Sequence, residues 1–403
     1  MNYVLIGAGS RGLIYGTWAV RHGIAIAAIA EKRPDRLRDA AEKLGVPEEM
    51  CFSDAAGLLA RGKLADAAII ATMDRDHFGH TMAALDCGYD ILLEKPISPD
   101  PRECVAIEEK ANRLGLRITV CHVLRYTNFF GTLKGIVDSG ELGRIVAIKH
   151  SENIGNYHMA HSFVRGNWRN DRSSSPIIMQ KSCHDLDILL WLTGSHCTKV
   201  SAFGGLSYFR AENAPAGSAE RCCDCPVRDA CRFNAYRVYT PLLGQWPADV
   251  VCLEQTEAAL DKALREGPYG RCVFRCDNNV CDHMSMILEF ENGVTAAFSL
   301  TAQTNAVHRN IHIMCENGEI EADDGQRQIL VTKFTASPAE TFSTRVIHIR
   351  TGSGGHGGQR QGSHQLRPPG GVAGVHDHRQ VGQLFQHRNG GNVQSGAAVG
   401  LEG

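Results

Sequence analysis

Residues 1–22 constrain the fold of this chain more than any other stretch. An apolar run over residues 3–6 predicts a buried strand, and a helix is predicted over residues 13–22. The loop between them has the pattern G-x-G-x-x-G and contains Gly7, Gly9, Ser10, Arg11 and Gly12. Small residues in such a loop let the backbone approach a pyrophosphate at the amino terminus of the helix. The order of strand, glycine loop and helix therefore predicts a nucleotide-binding α/β unit.

Glu31 lies where a dinucleotide site requires an acid. A second apolar run, over residues 24–30, predicts a strand that ends at Glu31, about twenty residues after the last glycine of the loop. A carboxylate at this position can accept hydrogen bonds from the adenosine ribose hydroxyls. Lys32 and Arg33 follow directly and could bind a ribose phosphate, so the pattern favours NAD and leaves NADP open. A glycine turn in another kind of Rossmann-like domain is the alternative.

Strand and helix signals alternate regularly as far as residue 121. Strands are predicted over residues 67–71, 91–93 and 117–121, and helices over residues 40–44, 77–87 and 102–114. This alternation predicts an α/β Rossmann domain with a doubly wound parallel sheet, which occupies residues 1–122. Side chains beyond the carboxyl ends of such strands face the ligand crevice. The candidate cofactor contacts there are Thr72, Asp74, His77, Glu94 and Lys95.

Lys95 is a candidate catalytic cation. It follows the predicted strand over residues 91–93, within the sequence Glu94-Lys95-Pro96. A lysine at the carboxyl end of a parallel strand lies at the ligand crevice, and the proline restricts the backbone beside it. An ordinary Glu-Lys pair at the entrance to a loop is the alternative, so the interpretation depends on residues elsewhere in the chain.

The pattern of the sequence changes after residue 122. Strands are predicted over residues 145–154, 199–209, 285–291, 294–303, 310–315 and 329–334, with a hairpin signal at Asn292-Gly293. Three of these strands alternate apolar and polar residues, which is typical of an antiparallel sheet with one covered face. We therefore predict a second α+β domain over residues 123–345, with a largely antiparallel open sheet and a cysteine-rich insertion at residues 211–281.

A predicted helix in the second domain carries a candidate proton acceptor. Its apolar spacing over residues 188–192 puts His184 and Asp187 three residues apart, on one face of the first turn. A histidine exchanges a proton near neutral pH, and a nearby carboxylate can orient its ring. A capping or surface histidine is the alternative.

Together these motifs resemble the Gfo/Idh/MocA oxidoreductases, the superfamily of glucose-fructose oxidoreductase and inositol dehydrogenase. The matching features extend from residue 3 to residue 335 and are the glycine loop, Ile70-Ala71-Thr72 with His77, Glu94-Lys95-Pro96, Leu124-Arg125-Tyr126, residues 140–145 and His184-Asp185-Leu186-Asp187. The resemblance implies hydride transfer between NAD or NADP and a hydroxyl or keto carbon of a sugar, polyol or sugar acid. It also implies a catalytic pair, Lys95 and His184, with Arg125 and Tyr126 near the substrate. The expected assembly is a homo-oligomer that forms through the outer face of the second sheet.

One position departs from the pattern of that family. Many members have an acid four residues before the histidine, whereas this chain has Gln180. The departure concerns the proton route and the substrate more than hydride transfer. A non-catalytic dinucleotide-binding sensor of the same fold is the alternative function, favoured by Gln180 and by the unusual end of the chain.

Cations and an aromatic residue precede His184 in the sequence. We expect residues 158–181 to shape the substrate pocket and, with Asp187, to contact the substrate. The cations favour a hydroxylated substrate with a carboxylate or phosphate, such as an acidic sugar, and arginines on a solvated loop are the alternative. The residues concerned are Arg165, Trp168, Arg169 and Lys181.

The insertion contains closely spaced cysteines. Cys222, Cys225 and Cys231 have the spacing C-x-x-C-x-x-x-x-x-C, which predicts a structural zinc site on a loop that lacks its own core. Uncoordinated thiols are the first alternative, and an iron-sulfur cluster is the second. A fourth ligand could come from Cys252, Cys272, Cys276 or Cys281.

Composition argues against several functional classes. The chain of 403 residues has a net charge of −2, which gives no support for a nucleic-acid or membrane-surface partner. No apolar run approaches the length of a membrane span, and a strand is predicted from residue 3, so we expect no signal peptide. Fifteen cysteines in such a chain then indicate the reducing cytoplasm.

Residues 346–403 are predicted to form an irregular tail. From residue 351 the chain is rich in Gly, His, Gln and Arg, lacks lysine and has no sustained periodicity. Our hypothesis is that a reading-frame shift near Gly358 replaced the natural carboxyl terminus, and a natural disordered tail is the alternative.

Overall fold

The computed structural model describes residues 1–350. Its last strand ends at His348, so regular structure continues past the predicted boundary at residue 345. The rest of the predicted tail, including the hypothetical frame shift near Gly358, lies outside the described residues. Within residues 1–350, no helix combines the length and the apolar character that crossing a membrane requires.

The first domain is an open parallel sheet with helices on both faces. Its strands are β1 (Asn2–Ile6), β2 (Ala25–Ala30), β3 (Cys51–Phe52), β4 (Ala67–Ile70), β5 (Asp90–Leu93) and β6 (Ile118–Val120). Its helices are α1 (Ser10–Arg21), α2 (Pro34–Leu44), α3 (Ala55–Leu59), α4 (His77–Asp86) and α5 (Pro101–Leu114). The strand order is β3-β2-β1-β4-β5-β6, and all neighbours are parallel, which confirms the predicted doubly wound sheet. The order reverses between β1 and β4, at a switch point where such sheets bind ligands.

Alternate side chains of β1 enter two separate cores. Tyr3 and Leu5 pack with residues of α1 and α2, whereas Val4 and Ile6 pack with residues of α3, α4 and α5. Both faces of the strand are therefore buried, which explains why its sequence is apolar over residues 3–6.

Two positions around the glycine loop have no room for a side chain. Gly7 has a φ of +92°, and a Cβ atom there would lie 2.6 Å from the carbonyl oxygen of Ala71. A Cβ atom on Gly12 would lie 2.0 Å from the carbonyl oxygen of Gly7. The loop is thus folded tightly between β1 and β4, and the amino terminus of α1 is left close to the crevice.

The second domain contains a larger sheet. Its strands are β7 (Ile145–Asn153), β8 (Cys197–Gly205), β9 (His283–Phe290), β10 (Thr295–Thr301), β11 (His308–Cys315), β12 (Gly318–Asp323), β13 (Gln328–Lys333) and β14 (Thr344–His348). The order is β14-β13-β12-β11-β7-β10-β9-β8. β7 and β10 are parallel and the other neighbours are antiparallel, so the predicted largely antiparallel sheet is confirmed.

Three strands were not predicted from the sequence: β3, β12 and β14. β3 has two residues, β12 reads Gly-Glu-Ile-Glu-Ala-Asp, and four of the five residues of β14 are exposed. Such segments lack the density of apolar and β-branched residues that marks a strand, and they form because a neighbouring strand pairs with them.

One face of the second sheet packs against helices and the other is open. The covering elements are α6 (Asn128–Asp138), a π-helical stretch (Met159–Arg165), α8 (Ile177–Gln180) and α9 (Cys183–Thr193), and the short α7 (Asn156–His158) precedes the π-helical stretch. α9 is deeply buried, because Leu186, Leu189 and Leu190 all enter the core. On the open face, Phe203 and Ile287 are exposed.

The insertion between β8 and β9 has a core of its own, contrary to our prediction. Its helices are α10 (Ala235–Tyr239), α11 (Ala248–Val251) and α12 (Glu257–Glu266). Tyr239, Leu260 and Leu264 are buried among one another there. The apolar residues of α12 recur at helical spacing, so this segment can bury a face without a metal ion.

Candidate active site

Lys95 of the first domain contacts the segment that leads into α9 of the second domain. Lys95 follows β5 at the carboxyl edge of the first sheet, and its Nζ donates a hydrogen bond of 2.7 Å to the backbone carbonyl of Gln180. His184 lies four residues beyond Gln180, in the first turn of α9, and is 3% exposed. The charge of Lys95 acts on the thiol of Cys183, the residue next to His184. The tertiary structure therefore brings the predicted pair into one region.

Glu94 anchors the lysine loop to α1. One oxygen of its buried carboxylate accepts hydrogen bonds from Arg11 at 2.8 Å and from the hydroxyl of Tyr15 at 2.6 Å. The other oxygen accepts from the backbone N–H of Lys95 at 3.1 Å. Burial alone would raise the pKa of Glu94, but the charges of Arg11 and Lys95 lower it to about 2. We predicted Glu94 and Arg11 as cofactor contacts, and here their partners are each other.

Asp187 is bound by a cation that is not His184. Arg125 donates to its two oxygens at 2.8 and 2.7 Å, a bidentate geometry. The guanidinium of Arg125 also lies 5.5 Å from the ring centroid of Trp191. That Asp187 orients His184 stays a prediction, and this geometry shows that Asp187 fixes Arg125. Tyr126, the other residue of that predicted pair, is half-buried.

His122 is a site residue that the sequence analysis missed. Its ring meets the ring of His184 edge to face, with centroids 6.2 Å apart, and its Nδ1 lies 3.8 Å from the carboxylate of Asp187. Burial lowers the pKa of His122, although the charge of Asp187 opposes this effect. A signal was available, because His122 follows β6 just as Lys95 follows β5, and both ends point at the same crevice.

The residues predicted for the adenosine end of a cofactor lie beside the glycine loop. Glu31 accepts hydrogen bonds from the backbone N–H groups of Ala8 at 2.8 Å and of Arg33 at 3.0 Å. Lys32 pairs with Asp76 at 3.0 Å, and Arg33 pairs with Asp35. Each of the two cations that could bind a ribose phosphate therefore has an acidic partner nearby.

The loop after β4 is tied to neighbouring segments. The ring nitrogens of the buried His77 lie 2.7 Å from the carbonyl of Pro96 and 3.1 Å from that of Thr72. His77 thus clamps the loops after β4 and β5 together, although we predicted a cofactor contact. Asp74 accepts a hydrogen bond from Ser175 of the second domain and is also buried.

The side chain of Gln180 holds the segment before α8. Its amide nitrogen donates to the hydroxyl of Ser174 at 2.7 Å and to the backbone carbonyl of Ser175. A carboxylate could not donate to that carbonyl, since an ionised acid only accepts hydrogen bonds. The amide at this position therefore serves a contact that the acid of the resembling family could not make.

Two predicted substrate contacts are wrong in this structure. Arg165 is buried in the insertion, where it donates to the carbonyls of Arg271 at 2.7 Å and Phe233 at 2.8 Å. Lys181 is 7% exposed and its Nζ lies 3.1 Å from Glu152. Both cations are buried and are bound to acceptors of the protein itself. Neither is therefore available to bind a substrate anion.

The neighbours of these cations are also engaged within the protein. Arg169 forms an ion pair with Asp277 at 2.8 Å, and Trp168 packs partly buried against the core of the second domain. The predicted basic lining of residues 158–181 is thus dispersed. Tertiary contacts decided this outcome, since the sequence of the segment alone is equally compatible with a pocket lining.

The cysteine pattern does not form a metal centre in the described residues. Cys222, Cys225 and Cys231 line one small cavity, and the sulfur of Cys222 accepts a hydrogen bond of 3.4 Å from Arg165. Throughout residues 1–350, no group of three or more His, Cys, Asp or Glu side chains is arranged to hold a metal ion. The predicted zinc site is therefore not supported, and the cysteines of this region are free thiols.

Comparison with known proteins gives two family matches. Residues 1–122 match the family described as the Gfo/Idh/MocA oxidoreductase family, NAD-binding Rossmann fold. Residues 134–360 match its C-terminal alpha/beta domain. Together the two matches span nearly all of the described chain.

Individual relatives agree with these matches. The Bacillus subtilis (strain 168) protein YteT, named as an oxidoreductase, is 24% identical over 326 residues, which are 78% of this chain and 74% of YteT. An inositol 2-dehydrogenase of Corynebacterium glutamicum (strain R) is 29% identical over 184 residues, 44% of this chain and about half (49%) of that enzyme. The solved structure of levoglucosan dehydrogenase with NADH has a TM-score of 0.63 at 18% identity, covering 94% of this chain and 87% of the other. At this identity the structural likeness shows the fold alone.

Proposed function

The chain belongs to the Gfo/Idh/MocA family of NAD-binding oxidoreductases, and we propose that it is an NAD-dependent dehydrogenase acting on a CH-OH carbon of a sugar or polyol. One observation carries this proposal. The Lys95 ammonium is held at 2.7 Å from the carbonyl of Gln180, so a cation from the nucleotide-binding domain lies at the segment that leads to His184. Inositol 2-dehydrogenases among the relatives support the substrate class.

The chemistry follows from the two side chains. An alcohol has a pKa far above neutrality, so removal of its proton must accompany the loss of hydride. NAD, when bound, accepts the hydride. Neutral His184 accepts the hydroxyl proton, and the Lys95 ammonium stabilises the negative charge that develops on the substrate oxygen. In the reducing direction His184 returns the proton to that oxygen.

We further propose that NAD is the preferred cofactor. Glu31, at the end of β2, can accept hydrogen bonds from the ribose hydroxyls and would repel a ribose phosphate. The cations that could favour the phosphate, Lys32 and Arg33, lie beside Asp76 and Asp35. We expect the ratio of kcat/KM for NAD to that for NADP to exceed one. Preference for NADP in the same assay would contradict this assignment.

The substrate is better described as a neutral polyol or sugar than as a sugar acid. The acidic-sugar hypothesis depended on Arg165, Arg169 and Lys181, and all three have acceptors within the protein. Arg125 is neutralised by Asp187, and the ammonium of Lys95 is assigned to the reacting oxygen, so neither is offered to a substrate carboxylate. The hydroxyl groups of a neutral sugar need hydrogen-bond partners but no net positive charge. The polar side chains of this site fit that requirement.

The deciding experiment is the change in nicotinamide absorbance with NAD or NADP across a panel of sugars, polyols and sugar acids. Turnover that requires Lys95 establishes the dehydrogenase, and the best neutral substrate identifies its class. A non-catalytic sensor is the second candidate, favoured by Gln180 in place of an acid. Saturable NAD binding without turnover on any substrate would overturn the dehydrogenase and favour the sensor.

We also propose that the protein forms a homo-oligomer through the open face of the second sheet. Phe203 of β8 is 81% exposed and Ile287 of β9 is 56% exposed, and both lie on that face. Exposed apolar side chains on a sheet face are typical of an association surface. We expect the double substitution Phe203→Asp, Ile287→Asp to reduce the mass measured by light scattering. An unchanged mass would contradict association through this face.

A further inference from the structure

We propose that five buried residues form an ionic frame that positions Lys95 and His184 for the proposed reaction. The frame consists of His150 and Glu152 on β7, Lys181 between α8 and α9, Asp185 in the first turn of α9, and Arg309 on β11. None of these side chains is required to touch the substrate or the cofactor. They act as positioning residues, and the inference rests on the proposed function of the catalytic pair.

The frame begins with two residues that face each other across the sheet. Glu152 and Arg309 are directly paired in the register of β7 and β11, and their side chains form an ion pair. Glu152 is fully buried and Arg309 is 4% exposed. Because neighbouring strands fix the positions of these two residues, they provide a rigid base on the covered face of the sheet.

Both residues of the base reach the segment that carries the catalytic histidine. The Nε of Arg309 donates to Asp185 at 2.7 Å, and Lys181 lies 3.1 Å from Glu152. The Nε2 of His150 is 2.8 Å from the same oxygen of Asp185. Burial alone would raise the pKa of Asp185, but Arg309 and His150 lower it, so its carboxylate stays ionised. Two points of the segment, four residues apart, are thus fixed to the sheet.

Each fixed point directly follows a residue of the candidate site in the sequence. Lys181 follows Gln180, whose carbonyl holds the ammonium group of Lys95. Asp185 follows His184, and successive residues of a helix point about 100° apart around its axis. When Asp185 faces the sheet, His184 is directed away from it. The frame therefore fixes the distance of the Gln180 carbonyl from the sheet and the rotation of the first turn of α9 about the helix axis.

The start of α9 lacks the usual means of fixing a helix terminus. Ser182 occupies the capping position, but its side chain makes no capping hydrogen bond. Contacts to Lys181 and Asp185 supply the restraint that a cap would otherwise give. The formal charges balance, with two cations and two carboxylates around a histidine. Buried ion pairs seldom stabilise a fold more than apolar packing of the same volume would. Their hydrogen bonds fix the orientation of the groups they join, and a catalytic geometry requires such orientation.

The experiment separates positioning from folding with three variants. Arg309→Met breaks the frame and leaves an excess of buried negative charge, so both thermal stability and kcat should fall. Arg309→Lys keeps the charge and loses the planar fork, and should retain part of the activity. The double variant Arg309→Met, Glu152→Gln restores the charge balance, so stability should recover while kcat stays about 10- to 100-fold below wild type.

Two further readouts report on position directly. KM for NAD should be unchanged in the double variant, because the glycine loop and Glu31 belong to the first domain, whereas all five frame residues belong to the second. The acidic limb of the pH profile of kcat/KM should move to higher pH, since a histidine less close to the Lys95 ammonium has a higher pKa. Arg144→Met, which breaks the exposed ion pair with Glu316, is the matched control and should change none of these quantities.

The outcomes decide the proposal even without turnover. The titration of the His184 ring by NMR, assigned by its absence from a His184→Gln variant, requires no substrate. A higher pKa of His184 in the double variant than in wild type supports the frame. Recovery of both stability and kcat in the double variant, or an unchanged titration of His184, would show that the residues serve folding alone. Absence of turnover in wild type would instead overturn the proposed dehydrogenase.

Discussion

The glycine loop and the first turn of α9 hold functional groups in different ways. In the loop, the restraints are backbone sterics within a short stretch, such as the approach of Gly12 to Gly7. At α9, the restraints come from residues far away in sequence, such as Arg309 on β11. The glycine loop depends on the absence of side chains at Gly7 and Gly12. The position of α9 depends on which charged residues form ion pairs. A substitution should therefore act locally in the loop and over long range at α9.

We expect the largest effect from substitution of Lys95, whose loop is bound to the glycine-loop helix through Glu94 and to the segment before α9 through Gln180. Lys95→Ala removes the cation that would stabilise the reacting oxygen, so kcat should fall on the order of 10²- to 10³-fold. NAD affinity, measured by fluorescence titration, should change far less. Lys43→Ala, on the exposed side of α2, is the control and should behave as wild type. Equal losses of kcat and NAD affinity would indicate a structural role for Lys95.

The second prediction concerns the anchor between the glycine-loop helix and the lysine loop. The ordinary pKa of a glutamate is 4.5, whereas that of folded Glu94 is about 2. Its ionised form thus contributes roughly 3 kcal/mol of stability above pH 4.5, which is lost as the pH falls towards 2. In Glu94→Gln, the unfolding free energy from urea titrations should decrease less between pH 5 and pH 3 than in wild type. Glu42→Gln, on an exposed site, should keep the wild-type pH dependence.

The third prediction tests the local character of the glycine loop. Gly12→Ala introduces a Cβ atom 2.0 Å from the carbonyl of Gly7, so the loop must shift and NAD affinity should fall about 100-fold, or about 2.7 kcal/mol. The titration of His184 should be unaffected, because α9 is held by other contacts. Gly79→Ala is the control, since a Cβ atom there meets nothing within 4 Å. Normal NAD binding by Gly12→Ala would contradict the steric argument.

The smallest expected effect belongs to Gln180. Gln180→Glu replaces the amide donor with a carboxylate that cannot donate to the carbonyl of Ser175, so kcat should fall about tenfold. If an acid at this position were the missing proton carrier, kcat would rise instead. Steady-state kinetics distinguish the two results. Gln326→Glu, on an exposed turn, should leave kcat unchanged.

Much of the fold was predictable because its signals are local. Apolar strands, turns and helices alternate along residues 1–122, and polar alternation marks β9 and β10, so both sheets could be anticipated. The strands β3, β12 and β14 were missed because they form by pairing with a neighbouring strand and their own sequences show no preference for a strand. The core of the insertion was also missed, because α12 is short and its few apolar residues, although at helical spacing, stand in a segment rich in cysteines.

The candidate site was predicted in part. Lys95 and His184 could be proposed from the sequence because they stand at ends of regular elements, where side chains face a crevice, and their catalytic role stays a prediction. Arg165 and Lys181 were misjudged because a cation in a loop can bind either a ligand or a buried acceptor. His122 was missed although it follows β6 as Lys95 follows β5, and only the tertiary structure shows that its ring meets that of His184.

The sequence by itself determined the nucleotide-binding loop, the doubly wound sheet and the residues that end its strands, since these depend on sterics and periodicity within a few tens of residues. The tertiary structure alone decided which charges pair: Asp187 with Arg125, Lys181 with Glu152, and Arg309 with Asp185. The physical reason is that ion pairing depends on distance in space, and any acid in the chain is a possible partner for any cation until folding selects one.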